Sequence, residues 1–188
     1  MKKLWIVLGV IAGVIIIGVL AYVSYYNRLV TINESITANW SQVEIQLQRR
    51  LDLIPNMVKT VKGYAKHEKG IMAEVTNARK EFLKAKSLPA KVKAGDQMQN
   101  ALKSIFALSE NYPQLRANEN FLHLQQELSA IEDKVAYARQ YYNDTILDFN
   151  NSIKTFPGNA FANIYHVKQR PFLEITESER KVPKVKFE

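Results

Sequence analysis

The chain has 188 residues, a formal net charge of +8 and no cysteine. That length accommodates one membrane element and one further unit, not two large domains. Disulfides, thiolate metal sites, thiol nucleophiles and lipoprotein anchoring are excluded, and the dispersed positive charge, never four basic residues in a row, argues against nucleic acid.

Lys2 and Lys3 precede Leu4 to Asn27, an uncharged stretch rich in Leu, Ile, Val, Gly and Ala. About 20 such residues, at about 1.5 Å each, span the roughly 30 Å hydrocarbon core of a bilayer. Trp5 near one end and Tyr22, Tyr25 and Tyr26 near the other suit the two interfaces. Residues 1–27 therefore read as a transmembrane anchor. The rival reading, a signal peptide cleaved after Val19-Leu20-Ala21, fits poorly a run longer than an h-region of about 7–15 residues. Lys2, Lys3 and the α-amino group outweigh Arg28, which favours a cytoplasmic N-terminus and an extracytoplasmic body. Gly9 and Gly13 have GxxxG spacing, a candidate transmembrane packing surface for a homo-oligomer.

Beyond the anchor, Leu29, Ile32, Ile36, Trp40, Val43, Leu47, Leu51, Ile54, Val58, Val61 and Ala65 recur on average every 3.6 residues. Pro55 lies inside this stripe without disturbing its phase. Proline lacks the N–H and clashes with the carbonyl four residues back, that of Leu51, so the pattern predicts one helix bent at Pro55. A break is expected over Lys66 to Gly70. Ile71, Val75, Ala78, Phe82 and Ala85 mark a second, shorter helix, and Ser87-Leu88-Pro89-Ala90 reads as a loop.

A third helix carries Val92, Met98, Ala101, Leu102, Ile105 and Leu108 and stops near Asn111-Tyr112-Pro113. Asn118 is a good N-cap for a fourth, whose apolar positions from Phe121 to Phe156 average 3.5 residues apart. Phe156-Pro157-Gly158-Asn159 ends it. No segment alternates as a strand would. The expected fold is all-α: a transmembrane helix, then an elongated antiparallel bundle of two long and two shorter helices over 28–159, then an extended or partly disordered tail over 160–188. Antiparallel pairing of the long helices sets Trp40 near Tyr142 and Pro55 near Leu128, and returns Phe156 to Tyr165 towards the bilayer. Ala160 to Tyr165 then either dips into the headgroups or covers the lower end of the core. Pro171-Phe172-Leu173 is a candidate docking segment of the tail.

Catalytic constellations are not apparent. His67, His123 and His166 lack ligand spacing, and HExxH fails because position 71 is Ile71. Glu127, Glu132 and Asp133 do not stack on one helix face, and Gly63 and Gly158 stand alone, away from any phosphate loop. The chain reads as non-enzymatic, without metal or cofactor. Arg49, Asp52, Asn56 and Lys59 follow one another at helical spacing around Pro55, a candidate partner-binding stripe or an exposed face with local ion pairs. The lack of native cysteines also makes a single cysteine at Asp96, in or near the third helix, a reporter of membrane sidedness.

Several blocks, in order, resemble the LemA family: YYNRLV at 25–30, RRLDLIPNMVKTVKGYAKHE at 49–68, EVTNAR at 74–79, NYPQLRANENFLHLQQELSAIEDKVAYARQYYND at 111–144 and FPGN at 156–159. The resemblance implies a bacterial single-pass membrane protein with a long-helix bundle bent at Pro55, and no established reaction. It also implies partners among other membrane or envelope proteins, membrane proteases and TPM-domain proteins among them. The expected role is a membrane-anchored scaffold or interaction protein. The alternative is an envelope sensor or a small-ligand-binding helical module.

Overall fold

The helical period that starts in the apolar segment never lapses, and a single helix, α1 (Lys2–Tyr64), takes up 63 residues with Pro55 inside it. The structure, a computed structural model, describes residues 2–173. After α1 come α2 (Lys69–Lys84), α3 (Leu88–Ser109), α4 (Pro113–Arg116), α5 (Glu119–Lys154) and α6 (Gly158–Ile164). No strand occurs among the described residues, so the fold is all-α. α1 is long and apolar enough to cross a membrane, and none of its most apolar stretch is buried in the protein.

Local chemistry explains the helix ends. Ser87-Leu88-Pro89-Ala90 is not a loop but the start of α3: the Ser87 side chain accepts from the Ala90 N–H at 3.4 Å, and Pro89 sits in the first turn, where no N–H is needed. Asn118 caps α5 as expected, its Oδ1 accepting from the Phe121 N–H at 3.0 Å. α4 falls where only a stop is expected, and α6 takes the first residues of the segment expected to be extended. α6 closes on a Schellman motif: His166 adopts φ 54°, its N–H reaches the Asn163 carbonyl at 3.3 Å, and the Val167 N–H reaches Ala162 at 3.0 Å. His166 is thus a helix stop.

The chain divides into two compact units, one of residues 1–41 and 140–172, the other centred on 42–139. In the first, α1 and α5 run antiparallel. Asn39 donates to Thr145 Oγ1 at 2.7 Å, while lower on α1 the Tyr25 hydroxyl donates to the Ser152 carbonyl, higher on α5. Trp40 meets Tyr142 edge-on at 5.9 Å, the register read from the sequence. Burial raises the Tyr142 phenol above its ordinary pKa, and the nearby Arg170 opposes that. Asn150 and the Arg170 backbone exchange two hydrogen bonds of 2.9 Å, and the Arg170 guanidinium lies 5.6 Å over the Phe149 ring and donates to Asn33. Leu173 is buried and Phe172 half-exposed; the remainder of the tail lies outside the described residues.

In the second unit α2 packs along α3, and Val43, Met57, Val61, Val75, Ala101, Ile105, Leu115 and Phe121 are wholly buried. Leu47 fits against Gly95, where an added Cβ would come within 3.2 Å of its methyl. Tyr112 donates to Glu68 at 3.0 Å, and that bond, ahead of desolvation, raises the Tyr112 pKa. Asp96 is no free reporter position. It pairs with Arg139 at 2.8 Å, the two side chains being only 10% and 15% exposed, so a cysteine there would leave the guanidinium with less countercharge. The neighbouring Gln97 is exposed and takes over that use.

The Leu51 carbonyl stranded by Pro55 accepts from Arg79 Nε at 3.4 Å. Replacing Arg79 with Met should cost about 1 kcal/mol in the native sequence, the net worth of such a bond. In a Pro55→Ala background, where residue 55 regains its N–H, the same change should cost close to nothing; a double-mutant cycle by chemical denaturation measures the coupling. In the first unit, a Cβ on Gly158 would collide with the Ser152 carbonyl and the Tyr25 hydroxyl. Gly158→Ala should therefore destabilise by about 1–3 kcal/mol, the range for overpacking, and lower the thermal midpoint of the full chain.

Candidate functional site

A recess of about 420 Å³ lies beside Pro55. α1 supplies Ile54, Pro55, Val58, Lys59 and Lys62, which recur at three- and four-residue spacing and so share one side of the helix; α2 supplies Thr76 and Arg79. Ile54 and Val58 make the floor, while Lys59 and Lys62 are exposed at the rim. Thr76 donates its hydroxyl back to the Met72 carbonyl at 2.7 Å. Arg79 donates to the Leu51 carbonyl through Nε and lines the recess with the lysines. No acidic residue lines the recess. An apolar floor under three cations suits an acidic group carried on an apolar side chain or segment.

A second recess, of about 640 Å³, lies on the other side of Lys59. Its walls include Asn56, Lys59, Asn118, Asn120, His123 and Glu127. The stripe expected from the sequence is thereby divided. Asn56 and Lys59 line recesses; Arg49 and Asp52 line neither, and Asp52 accepts a hydrogen bond of 2.8 Å from Gln48 on its own helix. His123 Nδ1 stands 3.8 Å from Glu127 on an exposed face, Glu132 accepts from Gln99, and His67 is exposed after α1. No group of three or more metal-binding side chains converges among the described residues. Around Gly9 and Gly13 an added Cβ would meet nothing within 4 Å, so their packing face is open.

Arg79 is the residue that reading the sequence missed. Its signal was available: Pro55 orphans the Leu51 carbonyl, and a buried carbonyl calls for a donor from a neighbouring element. Which donor answers depends on how α2 packs, and periodicity does not give that.

A family model for the LemA family matches residues 39–187. The chain is similar to magnetosome protein MamQ 2 of Paramagnetospirillum magneticum, 26% identical over 88% of this chain and 73% of the relative. It is similar also to magnetosome protein MamQ of Magnetospirillum gryphiswaldense, 27% identical over 77% of this chain and 62% of the relative. Protein LemA of Metamycoplasma hominis is 26% identical over 85% of this chain and 73% of its own length. With most of its length matched by that one family model, the chain belongs to the LemA family.

Proposed function

We propose that this chain is a membrane-anchored, non-enzymatic scaffold that holds other membrane or envelope proteins through the recess at Pro55. The observation that carries the reading is the recess itself: an apolar floor rimmed by Lys59, Lys62 and Arg79, on the outside of a unit whose interior is filled. A partner with an acidic, apolar-anchored segment matches that surface. Relatives named as magnetosome proteins support a place in a membrane assembly by analogy.

The alternative, a sensor or small-ligand module, has one observation in its favour. A cleft of about 790 Å³ in the first unit is lined by Thr31, Ser35, Thr145 and Thr155 among others. Those four hydroxyls, however, donate to carbonyls of their own helices at 2.9–3.0 Å, so a ligand there would rely on other lining donors, Arg28 and Asn151 among them. The scaffold reading has the stronger support.

A photo-crosslinker at Val58 in the full-length protein, expressed in its own cells, should give a discrete protein adduct. Lys62→Glu reverses a charge that lines only the Pro55 recess and should reduce that adduct about ten-fold, equivalent to about 1.4 kcal/mol of affinity. Asn56→Ala alters only the neighbouring recess and should leave it nearly unchanged. The reverse pattern moves the docking face to the second recess, and the absence of any adduct sinks the scaffold reading. Sidedness is checked separately: a Gln97→Cys chain should react with a membrane-impermeant thiol reagent in intact cells. Protection until lysis would place the body, and its partners, in the cytoplasm.

A further inference from the structure

We infer that α6 and the turn before it form an interfacial foot, seated in the bilayer at the boundary between headgroups and acyl chains. Depth comes first. Tyr22 lies eighteen residues beyond Leu4, about 27 Å along a helix, so Tyr22 to Tyr26 stand where an apolar span of that length leaves the hydrocarbon. α6 is fastened to those tyrosines. Phe161 stacks on Tyr25 at 5.1 Å and meets Tyr22 edge-on at 6.3 Å; Tyr165 packs on Tyr22 at 5.0 Å and on Tyr26 at 5.5 Å. The Tyr165 hydroxyl also donates to the Tyr22 carbonyl at 3.1 Å. Whatever the sidedness of the body, α6 shares the depth of the end of the span.

Orientation comes second. Gly158 and Ala162 turn inward, whereas Phe156 is 86% exposed and Ile164 60% exposed. A segment that only closed the lower end of a core would turn its large apolar residues in. This one turns Phe161 in but leaves Phe156 and Ile164 facing out.

Charge comes third. From Phe149 to Leu173 the sequence has no acidic residue, and the exposed Lys154 and Lys168 flank α6. A short helix with outward apolar groups and basic flanks is the chemistry of an anionic lipid surface.

The test uses the full-length chain in vesicles of phosphatidylcholine and phosphatidylglycerol. An environment-sensitive fluorophore is attached to Phe156→Cys, Ile164→Cys or, as a solvent-facing comparison, Gln97→Cys. The foot predicts blue-shifted emission at Phe156→Cys and Ile164→Cys, quenching by lipids brominated high on the acyl chain, and access to aqueous iodide reduced about five-fold or more against Gln97→Cys, as burial about 5–10 Å into the interface requires. Iodide access equal to that at Gln97→Cys overturns the inference. So does protection from iodide without quenching by brominated lipid, which would mean that protein, a second copy included, covers the segment.

Discussion

The structure depends on α1 remaining helical through Pro55. A helix that begins in an apolar, membrane-type segment and ends at Tyr64 carries the anchor and a long side of each unit on one backbone, so a break at residue 55 would uncouple the residues beyond it from the stripe that packs them. Proline makes such a break by default: it removes one donor and crowds the Leu51 carbonyl. Arg79 supplies that carbonyl with a donor from outside the helix. The guanidinium is well suited, since it keeps its charge and has donors left over after one is committed. The same residue that supplies the Leu51 carbonyl also lines the recess beside Pro55. Leu51, Pro55 and Arg79 are one structural device with a surface consequence.

The two units hold themselves together by different chemistry. The second has an apolar core of Val, Leu, Ile, Met and Phe that also encloses the largely buried ion pair of Asp96 with Arg139. The first is narrower in apolar content and relies on directed contacts: the Tyr25 hydroxyl on the Ser152 carbonyl, Asn39 on Thr145, and the reciprocal bonds between Asn150 and the Arg170 backbone. Such contacts specify register more sharply than apolar packing does, because a slip of one residue leaves every polar partner unmet. Gly158 belongs to this logic. The space it leaves is occupied by the Tyr25 hydroxyl on its way to Ser152, so the glycine is set by close approach and not by backbone conformation.

Much of this architecture was legible in the sequence because α1 and α5 are long and their apolar periods are nearly unbroken. Their antiparallel register followed from the short connections, and Trp40 does meet Tyr142. The short elements were not legible. α4 has four residues and α6 seven, too few for a period to repeat; α4 begins on a proline and α6 follows one, and each proline reads equally well as a stop. Asp96 was hidden for a different reason. An aspartate on a helix is ordinarily solvated, and only the arrival of Arg139 from another helix makes its burial tolerable. Of the stripe Arg49, Asp52, Asn56 and Lys59, only Lys59 lines the Pro55 recess; the remaining lining, Ile54, Pro55, Val58 and Lys62 of α1 with Thr76 and Arg79 of α2, depends on how α2 packs, which one helix's spacing does not show.

How the polar groups are spent separates the kinds of recognition open to this protein. Hydroxyls in the large cleft of the first unit donate to their own backbones, and the amide of Asn39 is taken by Thr145, so a small polar ligand entering there would rely on the remaining lining donors, Arg28 and Asn151 among them. At the Pro55 recess the balance is reversed: Lys59 and Lys62 stand exposed beside an apolar floor. Exposed lysines are cheap to desolvate only in part, which favours a partner that covers the floor and leaves the ammonium groups at a wet rim. An extended protein surface does that; a molecule small enough to sit wholly inside 420 Å³ gains little from the rim. The recess that Arg79 helps to line is thus better matched to the proposed protein partner than to a small ligand.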